Sequence, residues 1–165
     1  MDTHPQGPEP DGNRAEADRL LQDGDRLRDR RAWADAAEAY GQYLRLRRGD
    51  GAIWIQYGHC LKESGDPQGA LLCYREAEKL QPEDSDLHLQ IGHALKLLGR
   101  AEEALDAYAT ALSLDPGNPD ARREMLKNRV ALLDPRHANP DLVDELVRKG
   151  LNVAHPDEVI VPIPR

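Results

Sequence analysis

Phenylalanine is absent from this 165-residue chain, and the aromatic share as a whole is only 4%. A core must therefore be built from Leu, Ala and Tyr, a composition that suits close helix packing and suits a large aromatic-lined ligand pocket poorly. Cysteine is almost missing as well. Cys60 and Cys73 cannot make a disulfide framework. No long apolar run offers a signal peptide or a membrane span, so the default compartment is the cytoplasm. Lysine is scarce beside arginine, 5 against 17, which with abundant Ala and Gly is the composition of a GC-rich bacterial gene. A basic excess is lacking too. The formal charge is -8, and residues 50–118 hold 12 acidic against 5 basic residues, so most of the excess sits in that stretch. Phosphate binding needs a basic face, which argues against generic nucleic-acid or anionic-membrane partners.

What the chain does contain is a repeat. Trp54, Tyr57, Gly58, Leu61, Ala70, Tyr74, Ala77 and Pro82 are followed, each at an offset of 34, by His88, Ile91, Gly92, Leu95, Ala104, Tyr108, Ala111 and Pro116. Gly24, Leu27, Ala36 and Tyr40 extend the same frame backwards. A period of this length implies stacked helical hairpins, each burying its apolar face on its neighbours. Glycine at the eighth place, alanine at the twentieth and twenty-seventh, tyrosine at the twenty-fourth and proline at the thirty-second resemble the tetratricopeptide repeat. The resemblance implies an all-α, right-handed solenoid of three hairpins followed by C-terminal capping helices.

Residues 1–13, rich in Pro and Gly, are expected to form a disordered leader. A repeat domain occupies 14–134, with repeats at 17–50, 51–84 and 85–118 and a capping helix at 119–133. A short helix and an extended tail fill 135–165. The first hairpin departs from the pattern at Asp23, Arg31 and Arg48, and its polarity suits a terminal repeat whose outer side meets water. Within the second, helices are expected over Trp54 to Glu63 and Pro67 to Leu80, with Gly65 in a left-handed turn and Pro67 in the first turn of its helix. Gly58 and Gly92 stand mid-helix, where the family pattern places small residues for close approach, with Ala70 and Ala104 opposite. Asn118-Pro119-Asp120 is a helix start, and the helix it opens is polar through Arg122, Arg123, Lys127 and Arg129. Asn139-Pro140-Asp141 starts a shorter helix with Leu142, Val143, Leu146 and Val147 on one side. The last stretch, Val159 to Arg165, is apolar and extended because each proline restricts the residue before it. It packs on the solenoid, belongs to a longer protein, or docks into a groove.

In the family that the repeat resembles, the first helix of each hairpin lines a concave surface. Its groove places are here Ala52, Ile55, Gln56, His59, Lys62 and Glu63 in repeat two, and Asp86, Leu89, Gln90, His93, Lys96 and Leu97 in repeat three. The sequence Gln-x-x-His-x-x-Lys thus recurs at an offset of 34. Recent duplication or a solvated face explains it. So does a row of donors for an extended polypeptide, since amides bond a peptide backbone in both directions and neutral histidine both donates and accepts. On that second reading the candidate partner-binding residues are Ile55, Gln56, His59, Lys62, Leu89, Gln90, His93 and Lys96. Around Leu61-Lys62-Glu63-Ser64-Gly65 the repeat looks most like those that precede the catalytic part of O-linked N-acetylglucosamine transferase, and those of related bacterial glycosyltransferase systems. That likeness implies client recognition without transferase activity. The chaperone-tail clamp of another branch needs lysine and asparagine where Leu21 and Asp25 stand.

Other chemistry finds no support in the residues. His59, Cys60, Cys73, His88 and His93 lack paired short-spaced metal-ligand motifs, and His59 and Cys60 point about 100° apart on a helix. Cys60 and Cys73 read as small core residues, and His88 as a buried histidine bonded to backbone or water. Ser64, Ser85 and Ser113 lie at turns or helix ends, where they cap. Phosphate-cradling glycine motifs are missing. The sequence therefore points to a non-catalytic interaction scaffold, with no cofactor and no metal, that binds a protein or peptide segment. The alternatives are an accessory subunit of a glycosyltransferase system and a self-assembling scaffold, a homo-oligomer.

Overall fold

The computed structural model describes residues 11–132. They form seven helices: α1 (Asp11–Asp29), α2 (Trp33–Leu46), α3 (Gly51–Glu63), α4 (Pro67–Leu80), α5 (Ser85–Leu97), α6 (Ala101–Leu114) and α7 (Pro119–Leu132). Each packs on the next in chain order, giving three hairpins and a seventh helix. Among the described residues there is no strand. The helix expected at Pro140 and the tail from Val159 lie outside the described residues, as do residues 1–10.

Helix starts repeat with the sequence. The Asp50 carboxylate accepts from the Ile53 amide at 3.2 Å, Asp84 from Leu87 at 3.0 Å, and Asn118 from Ala121 at 3.0 Å. Each such cap is worth about 1 kcal/mol. Capping at Asp50 starts α3 at Gly51, three residues before the expected Trp54. Asp66 does the same for α4, accepting from Gly69 at 2.8 Å with proline in the first turn. The hairpin turns share one geometry: Arg31, Gly65 and Gly99 have φ of 59°, 93° and 73°. In each, the following amide reaches back five residues, Ala32 to Leu27, Asp66 to Leu61 and Arg100 to Leu95, at 2.8–2.9 Å. This closes the helix C-terminus in a Schellman turn.

The first helix begins inside the stretch expected as a leader. Residues 11–13 belong to α1, because extending a helix already packed through Ala17 costs far less than nucleating one.

Between the helices of each hairpin a tyrosine ring abuts a glycine. A Cβ on Gly24 or Gly58 would sit 2.6 Å from Cε1 of Tyr40 or Tyr74, and one on Gly92 would collide with Tyr108. The obstacle opposite Gly58 is first the Tyr74 ring and only then the Ala70 carbonyl, at 3.2 Å. Tyr40, Tyr74 and Tyr108 are fully buried, and burying each ring contributes about 2–3 kcal/mol. Two core clusters result, one across α1, α2 and α3 and one across α4 to α7, with Trp54 and Leu61 packed against both. Cys60 and Cys73 are buried in this core. Burial pushes their thiols up to about 11 and about 12, which leaves them un-ionised and poorly nucleophilic at neutral pH.

Candidate functional site

The first helices of successive hairpins are staggered, so the end of one lies beside the middle of the next. That stagger brings together residues 28 apart. Arg28 Nη1 donates to Gln56 Oε1 at 3.3 Å, Lys62 Nζ to Gln90 Oε1 at 2.9 Å, and Lys96 Nζ to Glu124 Oε2 at 2.9 Å. Donors and acceptors are each spaced by 34, so one bond is made three times. A second tie recurs beside it. Trp54 Nε1 donates to the Arg48 carbonyl at 2.8 Å, Arg122 Nη2 donates to that of Pro116 at 2.8 Å, and His88 Nε2 lies 2.9 Å from that of Pro82. A carbonyl only accepts, so Nε2 of His88 carries the proton, while its Nδ1 lies 3.6 Å from Glu78 Oε1. His88 is therefore the backbone-bonded histidine expected.

The recurrence of Gln-x-x-His-x-x-Lys thus has a structural cause that the sequence reading did not weigh: the glutamine carbonyl of one hairpin holds the cation of the hairpin before it. The sequence reading also missed Arg28 and Glu124, which begin and end the column. Searching for donor and acceptor pairs at the repeat length less six would have found both.

These bonds occupy only half of each amide. Among the described residues the Nε2 groups of Gln56 and Gln90 make no hydrogen bond, so each keeps two N–H donors. Ile55, Gln56, His59 and Gln90 converge, with Asp84, Asp86 and Leu87, on an open cavity of about 250 Å³ between α3 and α5. The space takes a side chain or a stretch of backbone and is small for a metabolite. His93, Lys96 and Glu124 repeat the arrangement one hairpin on. Leu89 departs from expectation: it is only 6% exposed and joins the core cluster that includes α7, so it offers little to a partner.

Both groove histidines are half-buried. His59 stands edge-on to Trp33, with ring centroids 6.3 Å apart, and His93 to Tyr108 at 5.8 Å. Burial first, and the Lys62 charge next, lower both below the ordinary histidine range. Both are therefore neutral at pH 7, with one donor and one acceptor nitrogen each. Burial also lowers Lys62, against the pull of Glu63. Glu124 is held below the usual carboxylate range by its hydrogen bond from Lys96, with a further bond from Lys127.

Asp25 fills the place that His59 and His93 take later. There it accepts from Tyr40 Oη at 2.7 Å and lies 3.2 Å from Arg28. The hydroxyls of Tyr74 and Tyr108, which have histidine at that place, are buried with no hydrogen-bond partner among the described residues. Among the described residues no group of three or more His, Cys, Asp or Glu is placed to hold a metal ion, and no helix is long and apolar enough to cross a membrane.

Comparison with known proteins agrees with this architecture. Residues 58–119 match the tetratricopeptide repeat family model, and no curated protein matches the chain. Among solved structures, the first TPR of Spaghetti (RPAP3) bound to the HSP90 peptide SRMEEVD is 20% identical, with a TM-score of 0.67 over 72% of this chain and 94% of that one. The structure of MamA is 18% identical, with a TM-score of 0.69 over 84% and 81%. The Sgt2 TPR domain from Aspergillus fumigatus is 16% identical, with a TM-score of 0.62 over 91% of both chains. Residues 58–119 are thus similar to the tetratricopeptide repeat, and the described residues have the all-α helical-hairpin solenoid fold of such repeats.

Proposed function

We propose that this protein is a non-catalytic interaction module that holds an extended segment of a partner protein along α3 and α5. The observation that carries this is the fixed orientation of the two amides. With Oε1 of Gln56 and of Gln90 held by Arg28 and Lys62, each Nε2 is left to donate, and a carbonyl on a peptide backbone is the matching acceptor. Neutral His59 and His93 add a donor and an acceptor on the same side, and Ile55 supplies apolar contact. Lys96 is tied to Glu124 and contributes chiefly to holding the groove. The likeness to a TPR bound to the peptide SRMEEVD supports peptide binding by this fold. The partner's own sequence is a separate matter, because Asp25 is engaged by Tyr40 and Arg28.

The narrower reading, client recognition for a glycosyltransferase system, rests on the Leu61-Lys62-Glu63-Ser64-Gly65 likeness. The bond from Lys62 to Gln90 gives that lysine a structural use of its own.

Capture from native lysate tests the proposal. Wild type is expected to retain a partner that a Gln56→Ala/His59→Ala/Gln90→Ala/His93→Ala variant of unchanged helicity loses. Equal retention by both chains would move recognition away from this face.

A further inference from the structure

The open N-terminal side of the solenoid and its seventh helix fit one another. Leu20, Asp23 and Leu27 stand, by the 34-residue offset, where Trp54, Tyr57 and Leu61 stand in the next hairpin. Those three pack in the cluster that contains Tyr40, Tyr43 and Leu44 of α2. No hairpin precedes α1 within the described residues, and the place that α2 takes on α3 is here an open groove of about 700 Å³ between α1 and α2. Leu20, Leu27 and Ala39 contribute its apolar part. Glu16, Asp23, Asp35 and Glu38 line it against two cations, Arg19 and Arg26. Both cations are within 4.0 Å of Asp23. The α2 edge, with Asp35 and Glu38, is purely acidic.

At the other end of the described structure, α7 is the reverse. Leu126 and Val130 are 53% and 69% exposed and adjacent on the helix. At 100° per residue, Arg122 and Arg129 fall on one flank of this pair and Arg123 and Lys127 on the other. All four are exposed. An apolar pair between cationic flanks thus faces outward on one end, and an apolar groove with an acidic edge lies open on the other.

We infer that the two ends dock head to tail: α7 of one copy, through Leu126 and Val130, enters the groove between α1 and α2 of the next. The contact joins unlike surfaces, so it propagates into a ring or a filament instead of stopping at a two-fold dimer. Its charged rim sets register and makes assembly salt-sensitive.

The test is the mass of the full chain in solution against concentration, by sedimentation equilibrium, for wild type and two surface variants. Wild type is expected to grow in mass with concentration at low salt and to lose that growth as salt rises. Asp35→Lys/Glu38→Lys and Arg123→Glu/Arg129→Glu should each lose at least about tenfold in association while keeping wild-type helicity and melting. An equimolar mixture of the two variants should recover association, because each supplies the reversed partner for the other. A wild type that stays monomeric at every concentration would overturn the inference, and so would growth untouched by either variant. The first result would mean that another part of the same chain covers these surfaces. Loss in both variants without recovery on mixing would also overturn it, because the two ends would then not meet each other.

Discussion

Three tyrosines at one repeat position meet two different fates at the hydroxyl. Tyr40 donates to Asp25, while Tyr74 and Tyr108 bury theirs without a partner among the described residues. A net hydrogen bond contributes about 1 kcal/mol, and an unmet buried hydroxyl costs about 1–3 kcal/mol. Tyr40→Phe should therefore lower stability by about 1–2 kcal/mol, whereas Tyr74→Phe and Tyr108→Phe should be neutral or raise it by up to about 1 kcal/mol. Urea midpoints at unchanged slope would measure all three. A loss at Tyr74 or Tyr108 equal to that at Tyr40 would mean that those hydroxyls are bonded after all. The ring fits in every repeat because Gly24, Gly58 and Gly92 lack the Cβ that it would meet.

The hairpins obey one plan, and the first breaks it at its turn. Arg31 takes the left-handed conformation that Gly65 and Gly99 take later, at a cost of about 1–2 kcal/mol for a residue with a Cβ. Glycine there would add unfolded-chain entropy worth about 0.4–1 kcal/mol, so Arg31→Gly should stabilise the protein by about 0.5–1 kcal/mol. A thermal midpoint that stays put or falls would contradict this. Helices and turns were legible in the sequence because the positions that form them, such as Gly58, Ala70, Tyr74 and the turn residues Gly65 and Pro67, answer to packing that recurs from hairpin to hairpin, although the cap at Asp50 was not read. The ties between hairpins were less legible. Arg28 and Lys62 differ in type, as do Gln90 and Glu124, and donor and acceptor sit in different repeats, so only the stagger of neighbouring helices reveals the pairing. The burial of Leu89 was less legible for a related reason: its place in the groove pattern does not show that the core cluster reaching α7 takes it in. The helix α7 itself was read as a polar cap, yet through Asn118, Arg122 and Glu124 it repeats the cap and both ties of a further hairpin.

At the scale of the whole molecule, one column of side chains does two things. Its carbonyl and carboxylate oxygens hold successive hairpins in register, and on the proposed reading its amide nitrogens and neutral histidines serve a partner. The most direct measurement separates these halves. A Gln56→Glu/Gln90→Glu chain keeps an acceptor for Arg28 and Lys62, as Glu124 already serves Lys96, but removes the N–H donors. Its unfolding midpoint should equal or exceed that of wild type, while its affinity for the captured partner segment, measured by calorimetry, should fall at least about tenfold, a loss of about 1.4 kcal/mol. Unchanged affinity in an equally stable chain would show that the amide nitrogens bind nothing and that the column serves the solenoid alone.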